Sequence, residues 1–596
     1  MARNTFKEDE ILETPFEVKH LLRASVYIKK YIKRMGFALF LSALAGITGL
    51  LSPMIVQYAL DVSIPQGNKE QLFLLVFLLI GTYAISILFA TLRSRIMTTV
   101  GQSIVYDIRK DLFAHLQKLP FKYYDDRPHG KIMIRVVNYV NSVSDMLSNG
   151  LINVVLEVIN MIFIVIFMLL VDVPLSLVVF AGVPVFALIL GYIKKHQRKA
   201  WQMVSNKNSN LNAYLQENIA GARITQIFAR EDENAEIFET LSEKCKESWM
   251  EAVKYSNLVW PSSDNVAVAI RAAIYIVGLL VLGPETVSVG TIVAIGSYAS
   301  RFWQPIMNLG NIFNNFINNI AYLERIFETL DEPITVDNTP DATEMPKIRG
   351  KVTFEEVCFG YEEGQRVLDK VSFTVNPGES VALVGPTGAG KSTIVNLISR
   401  FYNVNSGRVL IDDVDISKVT LHSLRSQMGI MLQDSFIFSG TIEDNIRYGK
   451  LDATQEEIKK ASGIVCADSF IEGMKDGYQT EVKERGSLLS QGQKQLISFA
   501  RTLLSDPAIL VLDEATSSID VQTEKALQQG LNAMLEGRTS FIIAHRLSTI
   551  KNCDKIMYIS DGGIQECGTH EELMNKKGHY YKLYTSQMND LFGEIA

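Results

Sequence analysis

The stretch Val381-Ala-Leu-Val-Gly-Pro-Thr-Gly-Ala-Gly-Lys-Ser392 decides the fold of the second half of this 596-residue chain. A short apolar run leads directly into a glycine-rich loop, and Thr393-Ile-Val-Asn-Leu-Ile-Ser-Arg400 continues with a helical pattern. Strand, glycine-rich loop and helix in this order are the context that a phosphate-binding P-loop requires. Glycines let backbone N–H groups close around phosphate oxygens, and the following helix N-terminus adds positive potential. The stretch therefore predicts an α/β domain that binds a nucleotide.

Two side chains of this loop suit the chemistry of a nucleoside triphosphate. Lys391 supplies a positive charge for the β- and γ-phosphates, and the hydroxyl of Ser392 offers a ligand to Mg²⁺. Alone, the motif indicates only nucleotide binding. The residues predicted to surround the phosphates are Gly385, Pro386, Thr387, Gly388, Ala389, Gly390, Lys391, Ser392 and Thr393.

Two further apolar strands of this half end in residues that can act on a phosphate. Ile509-Leu-Val-Leu512 is followed by Asp513-Glu514, and Ser540-Phe-Ile-Ile-Ala544 is followed by His545. A carboxylate beside a P-loop can hold Mg²⁺, which suits Asp513, and Glu514 can polarise the water that attacks the γ-phosphate. A neutral imidazole at His545 could contact that phosphate or the water. A solvated turn for the acidic pair and a structural histidine are the alternatives that the residues leave open.

A second glycine-containing loop, Leu488-Leu-Ser-Gln-Gly-Gln-Lys-Gln495, lies between the P-loop and the strand that ends at Asp513. Together with the P-loop, this LSGGQ-type stretch resembles the ATP-binding cassette (ABC) transporter family. Ser490, Gly492 and the following helix N-terminus would present N–H groups and a positive dipole end to a γ-phosphate. In that family this phosphate belongs to the ATP on a partner's P-loop, so the resemblance implies a dimer. The residues expected to contact the partner's nucleotide are Ser490, Gln491, Gly492, Gln493 and Asp520.

The resemblance also implies roles outside these loops. Tyr361 matches the position where the family stacks an aromatic ring on adenine, although packing at a strand end explains the residue equally well. Gln433 matches the Q-loop glutamine that senses Mg²⁺, and Glu484-Arg-Gly486 matches the loop before the signature. Ser518-Ile-Asp520 matches the D-loop, and His545 matches the switch histidine. The expected catalytic residues are Glu514, His545 and Gln433, and the expected Mg²⁺ ligands are Ser392, Gln433 and Asp513.

One position departs from the family pattern. Gln491 stands where the LSGGQ pattern has glycine, so the backbone donor is kept but bulk and a side-chain amide are added. In some exporters of this family a glutamate-bearing subunit with an altered signature pairs with a subunit that lacks the glutamate. This chain combines Glu514 with an altered signature, so a homodimer and a heterodimer are both consistent with it.

Long apolar runs in the first half predict a membrane domain. The three clearest, Gly36–Leu60, Gln71–Leu92 and Val173–Ile193, contain no charged residue. Each can cross a hydrocarbon core of about 30 Å at about 1.5 Å per residue, and backbone amides in lipid require a helix. Three more runs contain a single charge each, and a soluble core helix is the alternative for them. They are roughly Met146–Val171 with Glu157, Val266–Gly283 with Arg271, and Thr286–Leu323 with Arg301.

Basic residues predict the orientation of these spans. Lysines and arginines precede the first span and follow the second and the fourth, whereas the connections on the other side are short and carry one lysine. By the positive-inside rule both termini lie in the cytoplasm, a topology that six spans satisfy. The basic residues concerned are Lys19, Arg23, Lys29, Lys30, Lys33, Arg34, Arg93, Arg95, Arg109, Lys110, Lys194, Lys195, Arg198 and Lys199.

The two long cytoplasmic connections, about 93–145 and 194–264, read as helical sequence. Residues 121–130 and 227–232 interrupt that pattern. The resemblance implies short coupling helices there that press on ATPase domains, and a solvated turn is the alternative for each. We expect a membrane α-helical domain of six transmembrane helices with long cytoplasmic extensions, followed by an α/β P-loop ATPase domain of ABC type. The expected boundaries are 1–35 for an interfacial N-terminal segment, 36–327 for the transmembrane domain, 328–349 for a linker and 350–596 for the ATPase domain.

Composition and domain order limit the classes of function that are possible for this chain. A net charge of −7, from 58 basic and 65 acidic residues, gives no reason to expect a nucleic-acid partner, and the five cysteines show no C-x-x-C spacing for zinc. A membrane domain followed by the ATPase resembles exporters of the multidrug and lipid class. We therefore expect a dimer of half-transporters that exports a small amphipathic molecule, lipid or peptide across the cytoplasmic membrane by alternating access. An ATP-gated channel or a regulatory ABC protein without pumping is the alternative.

The last predicted span is unusually polar. Its asparagines at 3–4 spacing share roughly one helical face, and they are Asn308, Asn311, Asn315, Asn318 and Asn319. Polar groups at membrane depth normally face protein or a watery cavity, so this face should line the translocation path or pack on the partner's equivalent helix. Packing is the preferred interpretation. Glu157 and Arg271 are further functional candidates, for which pairing with each other or snorkelling is the simpler explanation.

Overall fold

The computed structural model describes residues 18–283, 285–362, 364–431, 435–513, 521–543 and 550–592. The chain divides into two compact units. The first comprises the residues up to Gln117 and His129–Glu332, and the second comprises Lys118–Pro128 and the chain from Pro333 onward. The second unit therefore includes a short piece of chain that interrupts the first in sequence.

Long helices build the first unit. The helices in the first half of the chain are α1 (Val18–Lys29), α2 (Ile32–Ser63), α3 (Lys69–Leu116), α4 (Phe121–Asp125), α5 (His129–Val171), α6 (Val173–Ala220), α7 (Ala222–Ile227), α8 (Glu231–Leu282) and α9 (Val289–Asp331). Of these, only α4 falls in the second unit.

Among the described residues, five helices (α2, α3, α5, α6 and α8) are long and apolar enough to cross a membrane. Helix α9 has 43 residues but is more polar. The helix count therefore agrees with the expectation of roughly six. Helices α3 and α6 have 48 residues each. At about 1.5 Å per residue each is about 72 Å long, more than twice a hydrocarbon core of about 30 Å. The predicted long extensions beyond the bilayer are confirmed.

The short connections between these helices end in capping residues. Asn68 accepts a hydrogen bond from the backbone N–H of Gln71 at the start of α3, and Asp172 accepts one from Leu175 at the start of α6. Ser288 caps α9 in the same way. Each side chain satisfies a backbone donor that a helix start leaves open, so each long helix begins at a fixed residue.

The charged residues inside the spans bond to neighbouring helices. Arg301 donates to the carbonyl oxygen of Gly49 over 2.8 Å, and Arg271 donates to Ser300 over 3.2 Å. Of the two explanations given for Glu157 and Arg271, pairing with each other is wrong, because Glu157 accepts instead from the amide of Asn308 over 2.7 Å. The asparagine face thus makes at least one contact within its own chain. The side chain of Asn318 lies outside the described residues.

Two main sheets organise the second unit. A four-stranded antiparallel sheet has the order β2-β1-β4-β5, and a six-stranded, mostly parallel sheet has the order β12-β11-β3-β10-β9-β6. Strands β7 and β8 form a separate pair. The strands are β1 (Val352–Phe359), β2 (Leu368–Val375), β3 (Ser380–Val384), β4 (Ser406–Ile411), β5 (Val414–Asp415), β6 (Met428–Met431), β7 (Gly440–Thr441), β8 (Glu481–Val482), β9 (Ile509–Asp513), β10 (Thr539–Ile543), β11 (Lys555–Ser560) and β12 (Gly563–Gly568).

Helices alternate with these strands and cover the larger sheet. They are α10 (Lys391–Ile398), α11 (Leu421–Arg425), α12 (Ile442–Arg447), α13 (Gln455–Ile464), α14 (Asp468–Glu472), α15 (Gln491–Leu504), α16 (Val521–Leu535), α17 (His570–Lys576) and α18 (His579–Phe592). The residues of β10 are buried along its whole length, as expected for a parallel strand covered on both faces. The α/β fold predicted for this half is confirmed.

Candidate functional site

The P-loop begins where β3 ends. Gly385 has φ 145°, and a Cβ atom built there would lie 2.1 Å from the carbonyl oxygen of Ile559, so only glycine fits. Gly390, with φ 102°, is the N-cap residue of α10. The first helical residue is Lys391. The strand, loop and helix expected from the sequence are therefore present in that order.

Lys391 points back into the loop that precedes it. Its side chain is 8% exposed, and Nζ donates to the carbonyl oxygens of Gly385 over 2.9 Å and Pro386 over 2.8 Å. Burial lowers the pKa of this ammonium, and the nearby Asp513 carboxylate raises it in part. Ser392, the next residue, is exposed. The loop thus holds a partly desolvated cation whose charge is influenced by the Asp513 carboxylate, and an exposed serine follows that cation in sequence.

The strands that carry the other predicted site residues are parallel and end in register. Leu383 of β3 pairs with Ile543 of β10, which pairs with Asp513 of β9. Leu512 of β9 in turn pairs with Met431 of β6. Since the carboxyl ends of parallel strands meet at one edge of a sheet, Asp513 lies at the edge where the P-loop begins. The structure therefore brings together Asp513 and the P-loop.

Four predicted site residues lie outside the described residues: Gln433, Glu514, Asp520 and His545. In sequence, Gln433 follows β6 by two residues, Glu514 follows β9 by one, and His545 follows β10 by two. The strands that lead to these three residues are neighbours in the sheet. Their roles stay predictions.

Tyr361 packs at the P-loop helix. Its hydroxyl lies 3.1 Å from Oγ1 of Thr393, and the amide of Asn396 donates to it over 3.4 Å. Its ring meets those of Phe359 and Tyr402 edge-on, at centroid distances of 5.0 and 5.1 Å. The structure thus brings together two predicted nucleotide contacts, Tyr361 and Thr393. Packing at a strand end, the alternative interpretation, also describes this ring.

The signature loop forms the N-terminus of α15. Ser490 is the N-cap, and its side chain accepts from the backbone N–H of Gln493, whose side chain accepts from the N–H of Ser490. Gln491 is exposed and Gly492 is buried. The first turn of α15 carries no acidic residue, so its positive dipole end is available to an anion. The side chains of Ser490 and Gln493 thus each accept from the backbone N–H of the other residue.

The first predicted interruption of the cytoplasmic helices packs within the second unit. The Phe121 ring of α4 lies 4.2 Å from that of Phe401, and the hydroxyl of Tyr402 donates to Oδ2 of Asp125 over 2.9 Å. Lys122 donates to the backbone carbonyl of Tyr361 over 3.0 Å. The prediction that this segment interrupts the helices is confirmed. It contacts the nucleotide-binding half through the same tyrosine that packs at the P-loop helix.

Sequence reasoning did not select Phe401 and Tyr402. They follow the P-loop helix within a few residues, and two adjacent aromatic residues there are the signal that could have drawn attention. The role of these two residues depends on their contacts with α4, which lies far away in the sequence.

The second interruption forms α7 and the turn after it. Ile227 is 77% exposed and Phe228 is 70% exposed in the first unit. Exposed apolar side chains of this size in a short turn indicate a surface that another protein surface covers.

Comparisons with known proteins agree with this geometry. Residues 35–306 match the family model of the ABC transporter transmembrane region, and residues 368–517 match the family model of the ABC transporter. The chain is 41% identical over 589 residues to the ABC transporter ATP-binding protein YknV of Bacillus subtilis, covering 98% of each chain. The chain belongs to the ABC transporter family.

Other relatives and a solved structure define the branch of this family. A putative multidrug export ATP-binding/permease protein, YgaD of Bacillus subtilis, is 37% identical and covers 94% of this chain and 98% of its own. A fatty acid ABC transporter ATP-binding/permease protein of Mycobacterium bovis is 35% identical, covering 85% and 80%. A bacterial Atm1-family ABC exporter solved with ATP bound has a TM-score of 0.77 at 30% identity, covering 94% and 98%.

The ABC transporter is thus of the exporter type, a multi-pass membrane protein that couples ATP hydrolysis to transport. Its ATPase domain binds nucleotide, and half-transporters of this kind form dimers. The alternative of a gated channel or a regulator without pumping receives no support from these relatives.

Proposed function

We propose that this chain is one half of a dimeric exporter of the cytoplasmic membrane, with both termini and the ATPase domain in the cytoplasm, that moves an amphipathic molecule outward. The observation that carries the proposal is the contact of α4 with the P-loop region, because a segment that interrupts the membrane half in sequence packs inside the nucleotide-binding unit. The names of relatives that export drugs or a fatty acid support an amphipathic cargo.

We propose a role for each residue of the nucleotide site. The P-loop from Gly385 to Thr393 would hold the phosphates through backbone N–H groups, with Lys391 on the β- and γ-phosphates. Mg²⁺ would be held by Ser392, Asp513 and Gln433, whose oxygen ligands suit that ion. The remaining residues complete this set: Tyr361 would stack on adenine, Glu514 would activate water, and His545 would contact the γ-phosphate.

The signature loop would act on the partner's nucleotide. The N-terminus of α15 would offer its N–H groups and dipole to the partner's γ-phosphate, with Ser490, Gln491, Gly492, Gln493 and Asp520 at the interface. The exposed apolar side chains of α7 support a docking surface that a second chain covers.

The partner is either a second copy of this chain or a different half-transporter. The exposed Gln491 adds bulk at the first residue of α15, where the partner's phosphate would approach. A dimer of two copies of this chain would contain two signature loops with glutamine at position 491. A different partner could supply a signature loop with glycine at that position.

ATPase activity of the purified chain, alone in lipid nanodiscs, tests the proposal and identifies the partner. Activity that rises linearly with the amount of dimer and disappears in Lys391→Ala supports a homodimer. Activity that appears only when a second half-transporter is added supports a heterodimer. An ATP turnover that persists in Lys391→Ala would contradict the assigned nucleotide site. An active enzyme that moves none of a panel of labelled amphiphiles into inside-out vesicles would contradict export of this cargo class.

A further inference from the structure

A cavity lies among α2, α3 and α5 in the first unit. Its volume is about 190 Å³. The lining combines two charged groups and other polar side chains with apolar ones: Arg93, Glu157, Asn153, Asn160, Ser42 and Phe163. None of these residues belongs to the nucleotide site. A cavity that combines a guanidinium at the end of one apolar run with a carboxylate inside another is unusual, since the Glu157 charge is costly in lipid.

The two charges of this cavity do not neutralise each other. Among the described residues the Glu157 carboxylate forms no salt bridge, and its hydrogen-bond partner is the neutral amide of Asn308. Arg93 has a buried Nε that donates to no acceptor in the described part of the chain. A buried donor without a partner and a carboxylate without a counter-ion are both unfavourable until a ligand supplies the missing groups.

Helix lengths place the cavity in one half of the bilayer. Arg93 directly follows the apolar run that begins at Gln71, about 33 Å along α3. Glu157 lies 14 residues before Val171, about 21 Å from the end of α5. Asn308 lies 19 residues after Val289, about 29 Å from the start of α9. With a hydrocarbon core of about 30 Å, Glu157 and Asn308 fall in its cytoplasmic half and Arg93 falls at its cytoplasmic boundary in the proposed topology.

We propose that this cavity binds the headgroup of a single-chain zwitterionic amphiphile, with its ammonium at Glu157 and its phosphate at Arg93. A carboxylate and a guanidinium on one cavity select a ligand that carries both opposite charges, because each charge-assisted hydrogen bond is lost when one charge is missing. The apolar wall near Phe163 would contact the first methylenes of the acyl chain. The inference rests on the proposed export function and specifies the cargo class.

Binding of four probes to the chain in nanodiscs tests this site, by a method that does not depend on hydrolysis. The probes are lysophosphatidylethanolamine, hexadecyl phosphate, hexadecylammonium and free phosphoethanolamine, each below its micelle concentration. We expect the zwitterionic lipid to bind at least about tenfold more tightly than either singly charged chain. Free phosphoethanolamine should bind far more weakly, which separates a lipid headgroup from a soluble zwitterion.

Two isosteric variants separate the charges. Glu157→Gln should weaken binding of the lysolipid and of hexadecylammonium by about tenfold and leave hexadecyl phosphate unchanged. Arg93→Gln should weaken the lysolipid and hexadecyl phosphate by a similar factor and leave the ammonium unchanged. Arg95→Gln, an exposed arginine on the same helix, and Glu70→Gln are the matched controls and should bind all probes as the unaltered chain does.

A third variant fills the cavity without altering its charges. A Cβ at Gly46 would have only Oδ1 of Asn160 near it, at 3.9 Å, so Gly46→Leu places a side chain in the cavity without a backbone clash. It should weaken all three chain-bearing probes. Equal binding of the three chains by the unaltered protein, or unchanged binding in Glu157→Gln and Gly46→Leu, would overturn the assignment. Normal binding in a protein that hydrolyses ATP but does not move the lysolipid would instead overturn the export proposal.

Discussion

The hydroxyl of Tyr402 donates a hydrogen bond to Oδ2 of Asp125 over 2.9 Å, which connects the chain just after the P-loop helix with the short helix α4. Burial, and after it the hydrogen bond and charge of Asp125, raise the pKa of Tyr402. The phenol therefore stays protonated and remains a donor across the physiological pH range. Tyr402 also contacts Tyr361 edge-on, so one ring bridges α4 and the predicted adenine position.

The first prediction concerns this bridge. Tyr402→Phe removes the hydrogen bond and keeps the ring, and Phe121→Ala removes the contact with Phe401. We expect both variants to keep most ATP turnover but to lose transport, because the nucleotide site is intact while its mechanical connection is weakened. The ratio of cargo moved to ATP hydrolysed, measured in proteoliposomes, should fall several-fold.

The matched control for the bridge is Asp126→Asn, which alters the exposed neighbour of Asp125. It should leave the transport ratio unchanged. If Tyr402→Phe, Phe121→Ala and Asp126→Asn all transported with the original ratio, α4 would be a packed turn without a role in coupling.

The second prediction concerns Glu514, which follows β9 directly. Glu514→Gln should still bind ATP and form the ATP-bound dimer but should hydrolyse at least about a hundredfold more slowly, since it removes the group that we propose activates water. Single-turnover hydrolysis and size-exclusion chromatography with ATP report the two properties separately. Glu536→Gln, an exposed glutamate after α16, is the control and should hydrolyse normally. Turnover that persisted in Glu514→Gln would remove the catalytic role assigned to this residue.

The sequence predicts the architecture well because its signals are local. The strand, loop and helix around Lys391 and the apolar runs of α2, α3 and α6 each follow from consecutive residues. Such patterns depend on backbone geometry and solvent more than on distant contacts.

Contacts between segments that are far apart in the sequence cannot be predicted from such local patterns. Phe121 packs on Phe401, which is far away in the chain, and no pattern of residue spacing predicts this contact. The same holds for Glu157, whose expected partner was Arg271 and whose actual partner is Asn308. Periodicity places each of these side chains on a helix face but does not say which neighbouring helix that face meets.

The third prediction concerns the P-loop backbone. Gly385→Ala would place its Cβ 2.1 Å from the carbonyl oxygen of Ile559, and this backbone atom cannot move aside cheaply. We expect a marked fall in the melting temperature of the nucleotide-free protein and loss of ATP binding. Gly388→Ala is the control, because its Cβ would meet no atom within 4 Å. Its left-handed backbone, φ 81°, costs about 1–2 kcal/mol for alanine.

The two glycine variants are compared by differential scanning fluorimetry without nucleotide. Gly385→Ala should melt at a clearly lower temperature than Gly388→Ala. Equal melting temperatures would mean that β11, the strand that contains Ile559, shifts to make room, and that Gly385 is not fixed by packing.

The last prediction concerns the contact between the C-terminal end of α2 and the N-terminal end of α9. Asp61 accepts from the hydroxyl of Ser288 over 2.5 Å and from the backbone N–H of Gly290 over 2.8 Å, so one carboxylate caps α9 from another helix. Asp61→Ala should destabilise the protein by about 1–2 kcal/mol, the usual cost of losing a helix cap. Gly290→Ala should also destabilise it, because the new Cβ would lie 2.5 Å from the carboxylate of Asp61. In the double variant this clash is absent, so its loss of stability should be smaller than the sum of the two single losses. Melting temperatures of the four proteins in one detergent measure this coupling, and strictly additive losses would show that Asp61 and Gly290 do not interact.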